Sequence, residues 1–222
     1  MHFYDFLDLG YLSLDEFVQK QDELWELRQK DRLCDTIVFA EHYPTISISV
    51  RNQDRDLAFL RPSIEALGAM HIPVVALDRG GSIAVHGVGI LGCYAIVKLQ
   101  SNNNGGALFQ AIEEWIMRAC ASVQIQLYPY PPGFRNRRMP SVEKAKYKGL
   151  WHSTYKIATR GFRTKSRVSQ FGISINVSPD PSLLALIHPC GIRDYTLGSI
   201  AQLTRYPWAT SDIITLLKST PL

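Results

Sequence analysis

Cys190 lies between Pro189 and Gly191, outside any apolar period that would bury it. A cysteine used as a small hydrophobe normally sits inside such a period, whereas a reactive thiol needs a cation or an acid–base partner to stabilise its thiolate. Lys156, His188 and His86 are the candidates for that partner. Lys156 stands in Tyr155-Lys156-Ile157-Ala158, a strand-like stretch whose apolar neighbours would draw the ammonium partly out of water and ease loss of a proton. A second candidate site is the string Arg79-Gly80-Gly81-Ser82-Ile83-Ala84-Val85-His86-Gly87-Val88-Gly89. Its glycine pairs flank a short strand, so a narrow ligand could lie against backbone free of Cβ atoms. Turns plus a hydrogen-bonded core histidine account for the same string without a ligand.

Elements of both kinds must position these residues. Ser13-Leu14-Asp15-Glu16 has the form of a capping box, and Leu14, Phe17, Val18 and Leu24 recur on one face of a helix reaching about Arg28. Residues 36–40 and 45–49 read as strands about a turn at Tyr43-Pro44. A short helix is expected after Pro62, stopping near Gly68, followed by strands at 72–77, 82–86 and 91–99. A turn is expected at 102–106, and Leu108, Ile112, Trp115, Ile116, Ala119 and Val123 mark the strongest helix. Pro129 to Gly133 opens a long loop. Strands near 150–157 and 168–177, a short helix at 182–187 and a last helix from Ser211-Asp212 complete the chain. This is one α+β domain over residues 1–222, with a mixed or antiparallel sheet and flanking helices.

Composition excludes several classes. The 222 residues are 46% hydrophobic and 20% charged, which places the chain among folded globular domains. No apolar run approaches the roughly 20 residues of a membrane span. Met1 to Phe6 has no basic start, apolar core or cleavage site, so no secretory leader is expected and the location is read as cytoplasmic. The four cysteines, Cys34, Cys93, Cys120 and Cys190, are too scattered for a disulfide framework or a zinc knuckle, so no metal site is expected. Gly87-Val88-Gly89-Ile90-Leu91-Gly92 matches G-x-G-x-x-G, but strand-like residues follow it where a dinucleotide site needs a helix. Between Arg135 and Arg167, eleven Lys/Arg residues accompany Glu143 alone, leaving 13 basic and 19 acidic residues elsewhere. That run is either a solvated face or a docking surface for an acidic partner.

Four blocks together resemble the lipoyl(octanoyl) transferases. They are Glu41-His42-Tyr43-Pro44-Thr45, Arg79-Gly80-Gly81 through His86-Gly87-Val88-Gly89, Lys156-Ile157-Ala158-Thr159-Arg160-Gly161, and Leu186-Ile187-His188-Pro189-Cys190-Gly191-Ile192. Phe171 to Val177 is a weaker fifth. The resemblance implies the fold of biotin and lipoate protein ligase catalytic domains, with no cofactor. It implies that Cys190 attacks the thioester of octanoyl-acyl carrier protein and holds the chain as an acyl-enzyme, while Lys156 stabilises the thiolate and relays protons. A lysine of a lipoyl domain, in a 2-oxoacid dehydrogenase E2 subunit or a glycine cleavage H protein, would then take the acyl group. Arg79, Gly80, Gly81, Ser82, Ile83, Ala84, Val85 and His86 would line the acyl site, with Thr159, Arg160, Gly161, Gly172, Ile173 and Ser174. A monomer is expected. The basic run would suit an acidic carrier, with Arg135, Arg137 and Arg138 as its first test.

The chain departs from the family pattern at Ala84, Val85, Val88, Ile90 and Phe171, each replacing a polar group or a turn residue. A diverged enzyme with a greasier pocket and an inactive relative both fit, and retention of Lys156 with Cys190 favours the enzyme. The rival readings are an ATP-dependent lipoate-type ligase, which would not need Cys190, a non-catalytic carrier or lipoyl-domain binder, and a nucleic-acid binder. Phe134, Tyr147, Trp151 and Tyr155 interleave the basic run, but no known nucleic-acid module pattern appears, and neither nucleic acid nor membrane is expected as a partner.

Overall fold

Alternating apolar residues fold most strands of the chain into one mixed sheet that carries helices on both faces. The computed structural model describes residues 4–101, 104–134, 140–192 and 195–222, with backbone alone at Ser141 and Val142. The elements run β1 (Asp5–Leu12), α1 (Leu14–Gln29), β2 (Thr36–His42), β3 (Thr45–Ser49), α2 (Gln53–Leu57), α3 (Ile64–Ala69), β4 (Val74–Leu77), β5 (Ala84–His86), β6 (Ile90–Ile96), α4 (Gly105–Ala121), α5 (Ser141–Lys146), β7 (Gly149–His152), β8 (Tyr155–Lys165), β9 (Val168–Asn176), α6 (Pro181–Leu184), β10 (Thr196–Leu197), α7 (Ile200–Thr204) and α8 (Thr210–Ser219).

The larger sheet has the order β1-β2-β6-β9-β8-β10, with β7 also paired to β8. The β1–β2 and β8–β10 pairs are parallel and the others antiparallel. A smaller sheet, β4-β3-β5, stands beside it. The fold is therefore the expected mixed α+β arrangement.

Strand β6 is buried along its whole length because both of its faces are covered. Leu91, Cys93 and Ala95 pack with Phe109, Ile112 and Trp115 of α4 and Ile213 and Leu217 of α8. Tyr94 and Ile96 pack on the other side against Leu14, Phe17 and Leu24 of α1. The predicted capping box starts α1: the Ser13 hydroxyl accepts from the Glu16 N–H at 3.2 Å, and the Glu16 carboxylate accepts from the Ser13 N–H at 2.8 Å. A second cluster joins Ile46, Ile48 and Val85 of the small sheet to Leu67, Leu183 and Leu186.

Four differences from the sequence reading matter. Strand β1 occupies the N-terminal stretch, where no element is expected. Two short helices, α2 and α5, fall in stretches read as connections. Helix α4 begins at Gly105, inside the expected turn, of which Asn102 and Asn103 lie outside the described residues. Strand β8 runs on to Lys165 and forms a long hairpin with β9.

The basic run is not one face. Lys156 is fully buried, Arg160 is paired with Glu113 at 3.0 Å and Arg163 with Asp78 at 2.6 Å. Lys144, Lys146 and Lys148 are exposed on and after α5, while Arg135, Arg137 and Arg138 lie outside the described residues. No described helix is long and apolar enough to cross a membrane.

Candidate active site

Cys190 occupies a single 3-10 turn, Pro189–Gly191, in the left-handed region at φ 53° and ψ 24°. A non-glycine residue held there costs on the order of 1 kcal/mol or more and persists only where its surroundings enforce it. Here the enforcement comes from the segment after α2: the His188 N–H donates to the Phe59 carbonyl at 2.8 Å, and the Arg61 N–H to the Leu186 carbonyl at 2.9 Å. The thiol is half-buried, and it shares a pocket of about 210 Å³ with Arg55, Gly81, Ser82, Ala145 and Lys146. Cys93 and Cys120 make the contrast: burial pushes both thiols up to about 12, which keeps them as inert core residues.

Of the candidate partners, Lys156 reaches the sulfur. Its side chain is 0% exposed, yet its Nζ lies 3.9 Å from Cys190 Sγ, donates to the Lys146 carbonyl at 3.3 Å and sits 5.3 Å above the Trp151 ring. Gly149 makes room for it: at φ 131° it takes a conformation that side-chain-bearing residues avoid, and a Cβ there would lie 2.9 Å from Lys156 Cε and strike the Ala158 carbonyl. An aromatic cluster of Phe134, Tyr147, Trp151 and Tyr195 forms the floor beneath the cysteine and lysine.

The Arg79–Ser82 ribbon runs from this pocket to a second, narrower space. That slot is walled by Arg79, Ala84 and His86 from the ribbon and β5, by Thr159 and Gly161 from β8, and by Gly172 and Ser174 from β9. Leu14, Leu77, Tyr94 and Phe171 close it, leaving only about 20 Å³ open to the centre of a water molecule. A buried polar chain follows one wall. The Arg79 guanidinium donates to the Ser47 hydroxyl at 2.7 Å and to the Ser47 carbonyl at 3.0 Å, and Ser47 Oγ meets His86 Nε2 at 2.8 Å. The Tyr94 hydroxyl meets His42 Nε2 at 2.7 Å, and the two imidazoles stand 5.6 Å apart. Burial pulls Arg79 down to about 10, against the opposing charges of Asp56 and Cys190, so it stays a cation at neutral pH.

The structure therefore distributes the sequence-predicted residues unevenly. Arg79, Ala84, His86, Thr159, Gly161, Gly172 and Ser174 gather at the slot, and Gly81 and Ser82 at the cysteine. Gly80 donates its N–H to the Phe162 carbonyl at 2.9 Å and binds the ribbon to β8. Strand alternation turns the others away. Ile83 and Val85 enter the second cluster, Ile173 enters the main core, and Arg160 faces α4, where it pairs with Glu113. Of the five departures from the family pattern, Ala84 and Phe171 line the slot, Val85 and Ile90 are buried in the second cluster, and Val88 is 61% exposed.

Known proteins resemble this chain in sequence and in fold. The sequence signature described as the lipoyl protein ligase A/B catalytic domain matches residues 16–220. An octanoyltransferase of Rubrobacter xylanophilus is 31% identical over 87% of this chain and 80% of its own. The chain belongs to the octanoyltransferase family. That makes it an acyltransferase enzyme of protein lipoylation, acting in octanoyl transfer. Among solved structures, the bipartite lipoate protein ligase of Thermoplasma acidophilum, studied with its E2 lipoyl domain, superposes with a TM-score of 0.65 at 10% identity, covering 98% of this chain and 82% of that one. The biotin protein ligase of Aquifex aeolicus, in complex with biotin and ATP, gives 0.53 at 12% identity, covering 96% and 67%. Both show a shared fold.

The structure also brings to the slot and the ribbon residues that sequence reasoning did not select. Ser47, Tyr94 and Leu14 line or brace the slot, and Asp56 supports the ribbon. Glu41, inside the first family block, accepts from the Gly89 N–H at 2.6 Å and from the Thr210 hydroxyl at 2.6 Å, tying the β5–β6 turn to α8. Among the described residues, no three His, Cys, Asp or Glu side chains gather to hold a metal ion.

The two imidazoles make the enzyme's stability sensitive to acid. Burial lowers His42 to about 4, and burial with the charges of His42 and Arg79 holds His86 well below 6.5. Unfolded, both titrate near 6.5. Below that pH the unfolded chain binds more protons than the native one, so stability is full above pH 6.5 and falls as pH drops toward 4. The thermal midpoint is expected to be lower at pH 5 than at pH 7.5, and His42→Asn should narrow that difference.

Proposed function

We propose that Cys190 carries the octanoyl group as a thioester, taking it from octanoyl-acyl carrier protein and passing it to a lysine amine of a lipoyl domain. The observation that carries this reading is the approach of a fully buried Lys156 ammonium to Cys190 Sγ, at 3.9 Å. In the first half-reaction the Lys156 ammonium holds Cys190 as its thiolate. The thiolate attacks the donor carbonyl, a new C–S bond forms and the carrier's C–S bond breaks. Lys156 gives a proton to the departing carrier thiolate and is left as the amine. In the second half-reaction the acceptor amine attacks the Cys190 thioester. The C–N bond forms, the Cys190 thiolate leaves, and the Lys156 amine takes the proton shed by the acceptor nitrogen, which restores the ammonium–thiolate pair.

The acyl chain would pass along the ribbon into the slot behind Arg79, displacing the side chains that now close it. The octanoyltransferase relatives support the acyl group, and the exposed Arg55 and Lys146 that line the cysteine pocket, with exposed Lys144 and Lys148 flanking Lys146 in the chain, suit an acidic carrier. The acceptor assignment is supported by the ligase of the same fold that was studied with a lipoyl domain.

The test separates the donor from a free acid. Incubation with octanoyl-acyl carrier protein, without nucleotide, should add one octanoyl mass to the enzyme, labile to hydroxylamine. Modification of the acceptor from octanoate and ATP, with none from the acylated carrier, would contradict the reading.

A further inference from the structure

Asp56 is a carboxylate with 0% exposure, seated on the short helix α2, and it belongs to none of the family blocks. Its Oδ1 accepts the Ser82 hydroxyl at 2.6 Å and the Arg55 guanidinium at 3.2 Å, and its Oδ2 accepts the Ser49 N–H at 3.2 Å. Ser49 in turn donates its hydroxyl to the Arg79 carbonyl at 3.0 Å. Asp56 thus holds both ends of the Arg79–Ser82 ribbon, one directly and one through Ser49. A buried carboxylate is tolerated only when hydrogen-bonded and paired, and these donors satisfy it.

The ribbon so held presents backbone to the nucleophile. Gly81 and Ser82 line the Cys190 pocket, and neither N–H has a hydrogen-bond partner among the described residues. Gly81 turns at φ 88° with the Arg160 carbonyl 3.1 Å from the place of a Cβ, so the chain reverses there in a form open to glycine. Successive free N–H groups at such a turn form a concavity for negative charge. A thioester carbonyl attacked by Cys190 develops that charge on its oxygen.

We infer that Asp56 is a positioning residue that sets the Gly81 and Ser82 N–H groups against the carbonyl oxygen of the acyl group on Cys190. It acts through Ser82 and touches no substrate. The inference rests on the reading that Cys190 is acylated.

The experiment measures three quantities for wild type, Asp56→Asn, Ser82→Ala and Ser82→Thr. They are the rate of Cys190 acylation by octanoyl-acyl carrier protein, the KM for that donor, and the rate of Cys190 alkylation by iodoacetamide, which forms no oxyanion. Removing one oxyanion donor typically lowers rate by 10²–10³, and loosening two should lower acylation by about 10–100-fold. Asp56→Asn and Ser82→Ala are expected to show that loss with KM and alkylation unchanged, while Ser82→Thr, which keeps the hydroxyl, recovers most of the rate. Acylation within threefold of wild type, or acylation and alkylation falling together, would overturn the inference. If Asp56→Asn does not fold, Ser82→Ala with its threonine control decides alone. Absence of an adduct on wild type would instead strike the underlying acyl-enzyme reading.

Discussion

Cys190→Ser is expected to abolish octanoyl transfer while leaving the fold and its thermal midpoint essentially unchanged. The substitution replaces one sulfur by a smaller oxygen in a half-buried turn, so packing changes little. Chemistry changes greatly, because an alcohol ionises far less readily than a thiol and a single ammonium 3.9 Å from the position of the sulfur is a weak activator for it. Loss of the nucleophile in a hydrolase that forms an acyl-enzyme costs on the order of 10⁶ in kcat, and a fall of about 10⁴ or more is expected here. Steady-state transfer from octanoyl-acyl carrier protein to a lipoyl domain measures it. A variant that keeps more than a tenth of the wild-type rate would remove Cys190 from the reaction.

Lys156→Met should lower the rate by about 10²–10⁴, the usual contribution of a general acid–base group. Methionine keeps the length of the side chain over the Trp151 ring and suits its buried surroundings. Exchanging a buried charge for an apolar group of similar size is often neutral or stabilising, so the thermal midpoint should hold or rise as activity falls. That opposite movement separates a proton-relay role from a structural one. Both half-reactions need the relay, so acylation and deacylation should slow together, and iodoacetamide should alkylate the variant's Cys190 more slowly at neutral pH. A fall confined to one half-reaction would restrict Lys156 to that step.

Much of this arrangement was legible in the residues themselves. The capping box at Ser13, the apolar period of α4, the turn at Tyr43-Pro44 and the isolated Pro-Cys-Gly each carry local chemistry that survives into the fold. Strand β1 was not, because Asp5, Asp8 and Gly10 break its alternation and it is only half-covered at the sheet edge. The far half of β8 hides behind charge: Arg163, Thr164 and Lys165 read as solvent-facing, yet Arg163 donates to Gln170 and Asp78, and Lys165 lies 4.6 Å over the Trp25 ring.

Contiguous motif blocks also misled in one respect. The Lys156–Gly161 and Gly172–Ser174 blocks present alternate residues to opposite faces, so Arg160 and Ile173 leave the slot that their neighbours line. Period-two alternation could have shown this. Ser47 and Asp56 had no such signal. A serine within an apolar strand and an aspartate among surface charges acquire their roles only when β3, α2 and the ribbon meet in space.

The central claim is that one covalent intermediate on Cys190 connects donor and acceptor. The most direct measurement isolates the enzyme after exposure to octanoyl-acyl carrier protein, removes the donor and adds a lipoyl domain, with intact masses of both proteins followed over time. The account predicts loss of the octanoyl mass from the enzyme and its appearance on the acceptor lysine at the same rate, without nucleotide. An acylated enzyme that keeps its octanoyl group while the acceptor stays unmodified would contradict it.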